Sequence, residues 1–339
     1  TYTFPIEVQD GTYSIFAPHR RCVIRNKVTG SGTLQIDIPY VAEFFEGDWS
    51  GFTGRLVANG VNSNNSEKST LIIQKGKNPF GNVVVDFKGN AALTGWDTNG
   101  NYTIGGLSGD AGASVRGSSK QTKGFTCTWT VGGANTDETF QGVINNLPAR
   151  GNSAYSGTVS IIKKGSGDWR LTGNNVYSGT TMITGGRLII NGTHSGKGAV
   201  SVYKGATLAG RGTVNGKVTV KNGGIVAAGD TVVNSAHILN LKGGLTVENG
   251  GSVTIPVKVS EGGVATVCKM NVTGAMAIDG ATLNLEIESG CENVKPGTVF
   301  YLFNMSNVTN GSGGGFTAIS PANPGEGLEW DASKLLSTG

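Results

Sequence analysis

Charge is scarce in this chain. Only 15% of its 339 residues are Asp, Glu, Lys or Arg, and the formal net charge is +4. A balance this mild and scattered excludes the concentrated basic face that nucleic-acid binding requires. No apolar run approaches the ~18 residues of a membrane-crossing helix, so no membrane span is expected. Four cysteines (Cys22, Cys127, Cys268, Cys291) never form a C-x-x-C pair, which removes zinc and thioredoxin-like readings. His19, His194 and His237 have no acidic or cysteine neighbour at ligand spacing and read as solvated side chains. No window carries a helical period, so helix should be nearly absent. No signal peptide is visible, the chain opens on Thr1, and it stops at Leu336–Gly339 where another strand is expected. It therefore reads as a processed or excised piece of a longer secreted protein.

Glycine is abundant. Its 56 residues are more than twice the usual share of about 7%, and the lack of a Gly-X-Y period excludes collagen. Between the glycines lie short runs of β-branched and apolar residues: Thr180–Thr184, Leu188–Ile190, Val200–Val202, Val218–Val220 and Ile225–Ala227. In Val218-Thr219-Val220 the valines share one face and the threonine takes the other, as the period-2 geometry of a strand requires. Strands this short bury a face only if the chain coils and each strand stacks on its counterpart one turn later. A sandwich, the competing architecture, favours longer strands and fewer glycine pairs. The expected fold is an all-β, single-stranded parallel β-helix, continuous over 1–339 and clearest over 158–230. Leu188, Ile190, Val200, Val202, Leu208, Val218, Val220 and Ile225 are expected to point inward.

Tyr177–Gly192 (YSGTTMITGGRLIING) followed by Gly210–Asp230 (GRGTVNGKVTVKNGGIVAAGD) resembles the autotransporter-associated β-strand repeat of bacterial surface and secreted proteins. The closing Ala228-Gly229-Asp230 departs only by Ala where Pro is frequent. The resemblance implies a right-handed β-helix and an extracellular or cell-surface setting; it implies no chemistry, since the repeat is scaffold. A looser copy lies at Glu43–Gly60, where Asp48–Gly54 stands for Val176–Thr180 and Arg55–Gly60 echoes Arg187–Gly192. Ala281–Ile287 alternates with its leucines inward, Asn145–Pro148 reads as a turn, and Gly311–Gly315 as a flexible loop. Gly327–Asp331 (GLEWD) resembles the tail motif that ends the last β-helical segment of such proteins.

Candidate chemistry is thin. Gly210-x-Gly212-x-x-x-Gly216 and Gly311–Gly315 have no following helix to cradle a phosphate, so they read as solenoid turns. Asn135, Asp137 and Glu138 offer oxygens but match no calcium-loop pattern. His19-Arg20-Arg21 is the densest basic piece, and a lyase-like site would need acids beside it. Cys127 and Cys268 read as buried small hydrophobes, with a Cys268–Cys291 disulfide open to an exported chain. Among the aromatics, Trp49 and Phe52 are the candidates for stacking a glycan; the weightier reading for all the rings is core stacking. No catalytic residue, cofactor or metal is expected. The expected role is a non-catalytic surface or secreted module, a rigid stalk or adhesion segment, with polysaccharide or another surface protein as partner. The alternative is a glycan-binding appendage, or the catalytic part, of a polysaccharide lyase-like enzyme.

Overall fold

The computed structural model describes residues 1–18, 22–40, 43–61, 69–74, 77–118, 123–148, 153–230, 233–234, 236–289 and 291–336. Among them there is no α-helix, only the 3₁₀ turns Ser153–Tyr155 and Cys291–Asn293. The fold is a parallel β-helix, as the alternation of short runs and glycines predicts. It divides into two compact units, Thr1–Thr180 and Thr181–Gly339.

The longest ladder of the first unit stacks Tyr13–Phe16, Thr33–Ile38, Arg55–Gly60, Val84–Gly89, Gly106–Gly109, Glu138–Phe140 and Asp168–Leu171, all parallel. A second ladder runs from Val23–Ile24 through Glu43–Phe45, Ser69–Ile73, Ala91–Gly95 and Ser114–Ser118 to Val143–Ile144. A third face is built by Ile6–Val8, Val28–Gly30 and Gly51–Phe52, and later by Asn99–Ile104, Thr126–Val131 and Thr158–Lys163. Three strands per turn with side chains alternating in and out is the geometry that short strands need to share one core. Thr33–Ile38 shows it plainly: Leu34, Ile36 and Ile38 are buried and the polar residues between them are not.

The second unit repeats the plan. Val200 stacks on Val218, and Val218 on Leu245; one strand along, Leu208 stacks on Val226, and Val226 on Val253. All six are fully buried, each contributing on the order of 1.5–3 kcal/mol of apolar transfer. The long strand Lys269–Ser289 wraps three faces in turn, pairing with Ile238–Leu241, Leu245–Val247 and Ser252–Val259. One antiparallel hairpin departs from the plan, Ser252–Val259 with Ala265–Val267.

Of the eight residues expected inward, seven are buried and Ile225 is not. Its neighbour Val226 takes the core position. The turn at Gly223-Gly224, with Gly223 at φ +72°, shifts the phase of the strand by one residue, which flips every side chain. Ala281–Ile287 does alternate, with Leu283 and Leu285 buried. Gly311–Gly315 is no loop: it lies within the strand Phe303–Ser320, where Met276 faces Gly311 and Asp279 faces Gly315. The ladder hydrogen bonds of a parallel neighbour hold extended backbone even where no side chain is available to pack. The glycines between rungs are required sterically. A Cβ on Gly212 would lie 2.1 Å from the Gly192 carbonyl oxygen, and one on Gly216 1.9 Å from that of Gly198.

Candidate functional site

Each face of the helix turns its alternate side chains outward, so any function is written on residues that also hold rungs together. Arg55 is the clearest case. Its guanidinium reaches Glu138 through Nη2–Oε1 at 2.8 Å and Nη1–Oε2 at 3.2 Å, and donates from Nη1 to Ser108 Oγ at 3.1 Å. Glu138 is buried and lies in register with the buried Trp169. Gly106 leaves the gap between them: a Cβ there would meet Val84 Cγ2 and Glu138 Cγ, both at 3.2 Å. Four residues on, Asn59 Nδ2 donates to Asp37 Oδ1 at 2.8 Å. The later copy uses the same residue types. Arg187 Nη2 donates to the Asp230 carbonyl at 2.9 Å, and Asn191 Nδ2 to the Asp230 carboxylate at 2.8 Å. The motif residues of the repeat, an Arg, an Asn and the closing Asp, thus meet as a polar clamp.

Trp49 and Phe52, the candidates for glycan stacking, are 1% and 0% exposed. Edge-to-face contacts join Trp49 to Phe45, Phe52 and Phe80 at 5.5, 5.8 and 5.5 Å between ring centres. This corrects the stacking expectation: the rings face each other, and no flat face is left open to a sugar. The core reading of the aromatics is the observed one, since Trp129 and Trp169 are buried too, with their indole nitrogens donating to Arg116 O and Leu107 O at 2.8 and 3.0 Å.

The calcium candidates are committed elsewhere. Asn135 Oδ1 accepts from Ser166 N, Asp137 Oδ1 from Asp168 N, and Glu138 holds Arg55. Among the described residues no group of three His, Cys, Asp or Glu side chains could hold a metal. His19, Arg20 and Arg21 lie outside the described residues; Arg25 nearby pairs with Glu46 at 2.6 Å. His194 is buried, not solvated. It stands in register with Val214, and the signal was there, since Gly192-Thr193-His194-Ser195-Gly196-Lys197 runs parallel to Gly212-Thr213-Val214-Asn215-Gly216-Lys217. His237 Nε2 is 2.8 Å from Arg211 Nη1.

Cys22, Cys127 and Cys268 are buried thiols, and burial pushes the Cys127 and Cys268 pKa values up; the Cys291 side chain lies outside the described residues. Asn145–Pro148 is the expected turn, closed by Leu147 N–H on Asn145 Oδ1 at 2.9 Å. The tail motif is seated by its tryptophan, Trp330, which donates to Pro321 O at 2.8 Å and meets Phe300 edge-on. It borders a cavity of about 670 Å³ that Leu283, Leu285 and Leu335 also line.

Two buried cations had no sequence signal beyond their place in a strand. Lys163 is 1% exposed and ends the inward face of Thr158–Lys163; its Nζ donates to Lys164 O at 2.8 Å and Gly165 O at 3.1 Å. Burial pushes its pKa down to about 8, against the opposing pull of Asp168 and Asp137. Arg116, 7% exposed, donates from Nε to Ser114 Oγ at 3.1 Å, and burial pushes its pKa down to about 10.

Residues 161–190 match the passenger-associated transport repeat. The chain carries the autotransporter-associated repeat. Within the matched stretch Trp169, Tyr177, Ile183, Leu188 and Ile190 are all buried, so the repeat is a core pattern. The repeat chain is 44% identical over 78 residues to the adhesin BmaC autotransporter of Brucella suis, covering 23% of this chain and 2% of that protein. It is 34% identical over 105 residues to the autotransporter lipoprotein NalP of Neisseria meningitidis, covering 29% of this chain and 9% of NalP. The chain thus spans a small fraction of the length of these curated relatives. Its setting is that of autotransporter passengers, secreted or exposed at the bacterial surface.

Proposed function

We propose that this chain is a rigid, non-catalytic passenger module whose β-helical outer wall adheres to a glycan or to another surface protein. The observation that carries this reading is the commitment of its polar side chains to other rungs of the wall: Asn59 with Asp37 on the adjacent strand, and Arg55 with Glu138, and Arg187 and Asn191 with Asp230, across intervening strands. A general acid or base must be able to reach a substrate proton, and groups bonded in this way brace the wall instead. The adhesin among the relatives supports the same role. The test is incubation of the purified chain with pectin-type and other acidic polysaccharides, with and without calcium, following absorbance of unsaturated products. No turnover is expected. Calcium-dependent turnover that is lost in Arg20→Ala or Arg21→Ala would move the chain to the lyase class.

A further inference from the structure

The mild overall charge, which looks scattered along the sequence, is unevenly shared within the second unit. Residues 181–275 carry nine Lys and Arg against three Asp and Glu, whereas residues 276–339 carry two against seven. Two of the three acids in the basic stretch are committed, Asp230 to Arg187 and Asn191 and Glu248 to Lys221. The third, Glu261, lies in the turn of the antiparallel hairpin.

Five of the other seven cations gather on one wall. It is built by Thr193–His194, Thr213–Val214, Ile238–Leu241 and the opening residues of Lys269–Ser289, stacked in parallel. His194, Val214, Leu241 and Val272 are buried, so alternation turns Thr193, Thr213, Asn240 and Asn271 outward, each in register with the next. Asn271 Nδ2 donates to Asn240 Oδ1 at 2.9 Å. On one side of this ladder the turns stack tightly: a Cβ on Gly243 would lie 2.5 Å from Asn215 O. Those turns carry Lys197, Lys217 and Lys242, all exposed. On the other side stands Arg211, with Nη1 2.8 Å from His237 Nε2. Lys269 lies beside it, in register with Ile238 and donating its N–H to His237 O at 2.9 Å. Two rows of cations thus flank a floor of hydroxyls and amides over four rungs, about 14 Å at the usual strand spacing.

A row of like charges raises the local potential and draws anions. Hydroxyls and amides both donate and accept, so the floor suits a hydroxylated chain whose charges meet the flanking rows. No Asp, Glu, Phe, Tyr or Trp occurs in 191–199, 211–218, 236–244 or 268–275, the strands and adjoining turns of this wall. Single-stranded nucleic acid is held on aromatic platforms, a membrane surface by apolar side chains beside the basic ones, and a protein partner by aromatic anchors. The wall supplies none of these, and Ile238, its large outward aliphatic side chain, is half-buried.

We infer that this wall binds a linear anionic polysaccharide laid along the helix axis. Its carboxylates or sulfates meet Lys197, Lys217, Lys242, Arg211 and Lys269, and its hydroxyls meet the Thr213, Asn240 and Asn271 floor. This deepens the adhesive reading and rests on it, giving that reading a partner class and a place.

The test measures binding of the full chain to heparin and to polygalacturonate at low and high salt. Dextran is the neutral counterpart; duplex DNA and phosphatidylglycerol vesicles are the other polyanions. At least one anionic polysaccharide should bind saturably and weaken as salt rises, because salt screens exposed charges. Lys197→Gln/Lys217→Gln/Lys242→Gln should keep the parent melting temperature and lose about tenfold or more in affinity, from three exposed contacts of up to about fivefold each. Lys204→Gln/Lys258→Gln/Lys295→Gln removes the same charge from other exposed positions of the unit and should bind as the parent does. On the parent chain itself, bound polysaccharide should protect Lys197, Lys217 and Lys242 from acetylation while Lys204 and Lys258 stay reactive, as read by mass spectrometry. The inference falls if neither anionic polysaccharide binds, if both triple variants weaken binding equally, or if protection spreads evenly over the lysines. It also falls if dextran, DNA or the vesicles bind as tightly. Such a failure leaves the non-catalytic adhesive reading standing; depolymerisation of polygalacturonate would overturn that reading instead.

Discussion

Lys163 gives the sharpest energetic test. Its ammonium sits at an inward position, and burial brings its pKa from 10.5 down to about 8. The carboxylates of Asp137 and Asp168 pull the other way without winning. Below pH 8 the lysine is protonated in both folded and unfolded chains, and the folded state bears the full cost of the buried charge. Between pH 8 and 10.5 the unfolded chain holds the proton and the folded chain does not, so stability rises with pH by about 3 kcal/mol in total. Replacing Lys163 with Met removes that cost at neutral pH, a gain of about 3 kcal/mol, offset by about 1–2 kcal/mol for two carbonyls that lose their donor. Lys163→Met should therefore be more stable than the parent by about 1–2 kcal/mol at pH 7. Near pH 10.5 it should be the less stable of the two. The assay is urea unfolding of both proteins across this range, read as their difference. The difference matters because Cys127 and Tyr102, whose pKa values burial raises, stay protonated in the fold and make every variant lose stability at high pH. A difference that stays flat from pH 7 to 10.5 would refute the reasoning, as would a Met variant several kcal/mol weaker at pH 7.

Three further substitutions test the core, a clamp and a turn by the same unfolding assay. Val220→Asp should cost at least about 3 kcal/mol by burying a carboxylate with no partner; an unchanged melting temperature would mean that this residue does not face inward. Arg55→Met should cost about 2–3 kcal/mol, because Glu138 stays buried and uncompensated while Arg55 itself is 37% exposed. The double variant Arg55→Met/Glu138→Leu should recover most of that loss, and no recovery would show that the pair does not act as a unit. Gly165→Ala should cost about 2 kcal/mol or more, since φ is +74° and the added Cβ would fall 1.9 Å from Gly132 O.

Much of the fold was legible because a solenoid repeats its local rules. Leu188, Val200 and Val218 could be placed from alternation alone, and the echo between Arg55–Gly60 and Arg187–Gly192 holds in three dimensions. Leu56, Val57 and Ala58 are buried as Leu188, Ile189 and Ile190 are. What alternation misses is phase. Ile225 was misread because a Gly-Gly turn resets which face comes first, and His194 because a strand of two residues between glycines looks like a turn. Buried charged residues, Lys163 and Glu138, follow from neither composition nor spacing. Their burial depends on a carbonyl turn and on an arginine 83 residues away. The sugar-facing reading of Trp49 missed that three other rings enclose it, a contact between segments that single-strand patterning does not encode.

The central claim is that parallel strands stack rung on rung, with Ser201 directly over Thr219. Paired cysteines test it most directly. Parallel neighbours lie about 4.8 Å apart, within the Cα range of roughly 4.4–6.8 Å that a disulfide spans. Under mild oxidation, Ser201→Cys/Thr219→Cys should form an intramolecular disulfide in high yield, identified by mass spectrometry of the linked peptides. The off-register pair Ser201→Cys/Lys217→Cys should not. Equal yields from the two pairs, or linkage only in the off-register pair, would contradict the account.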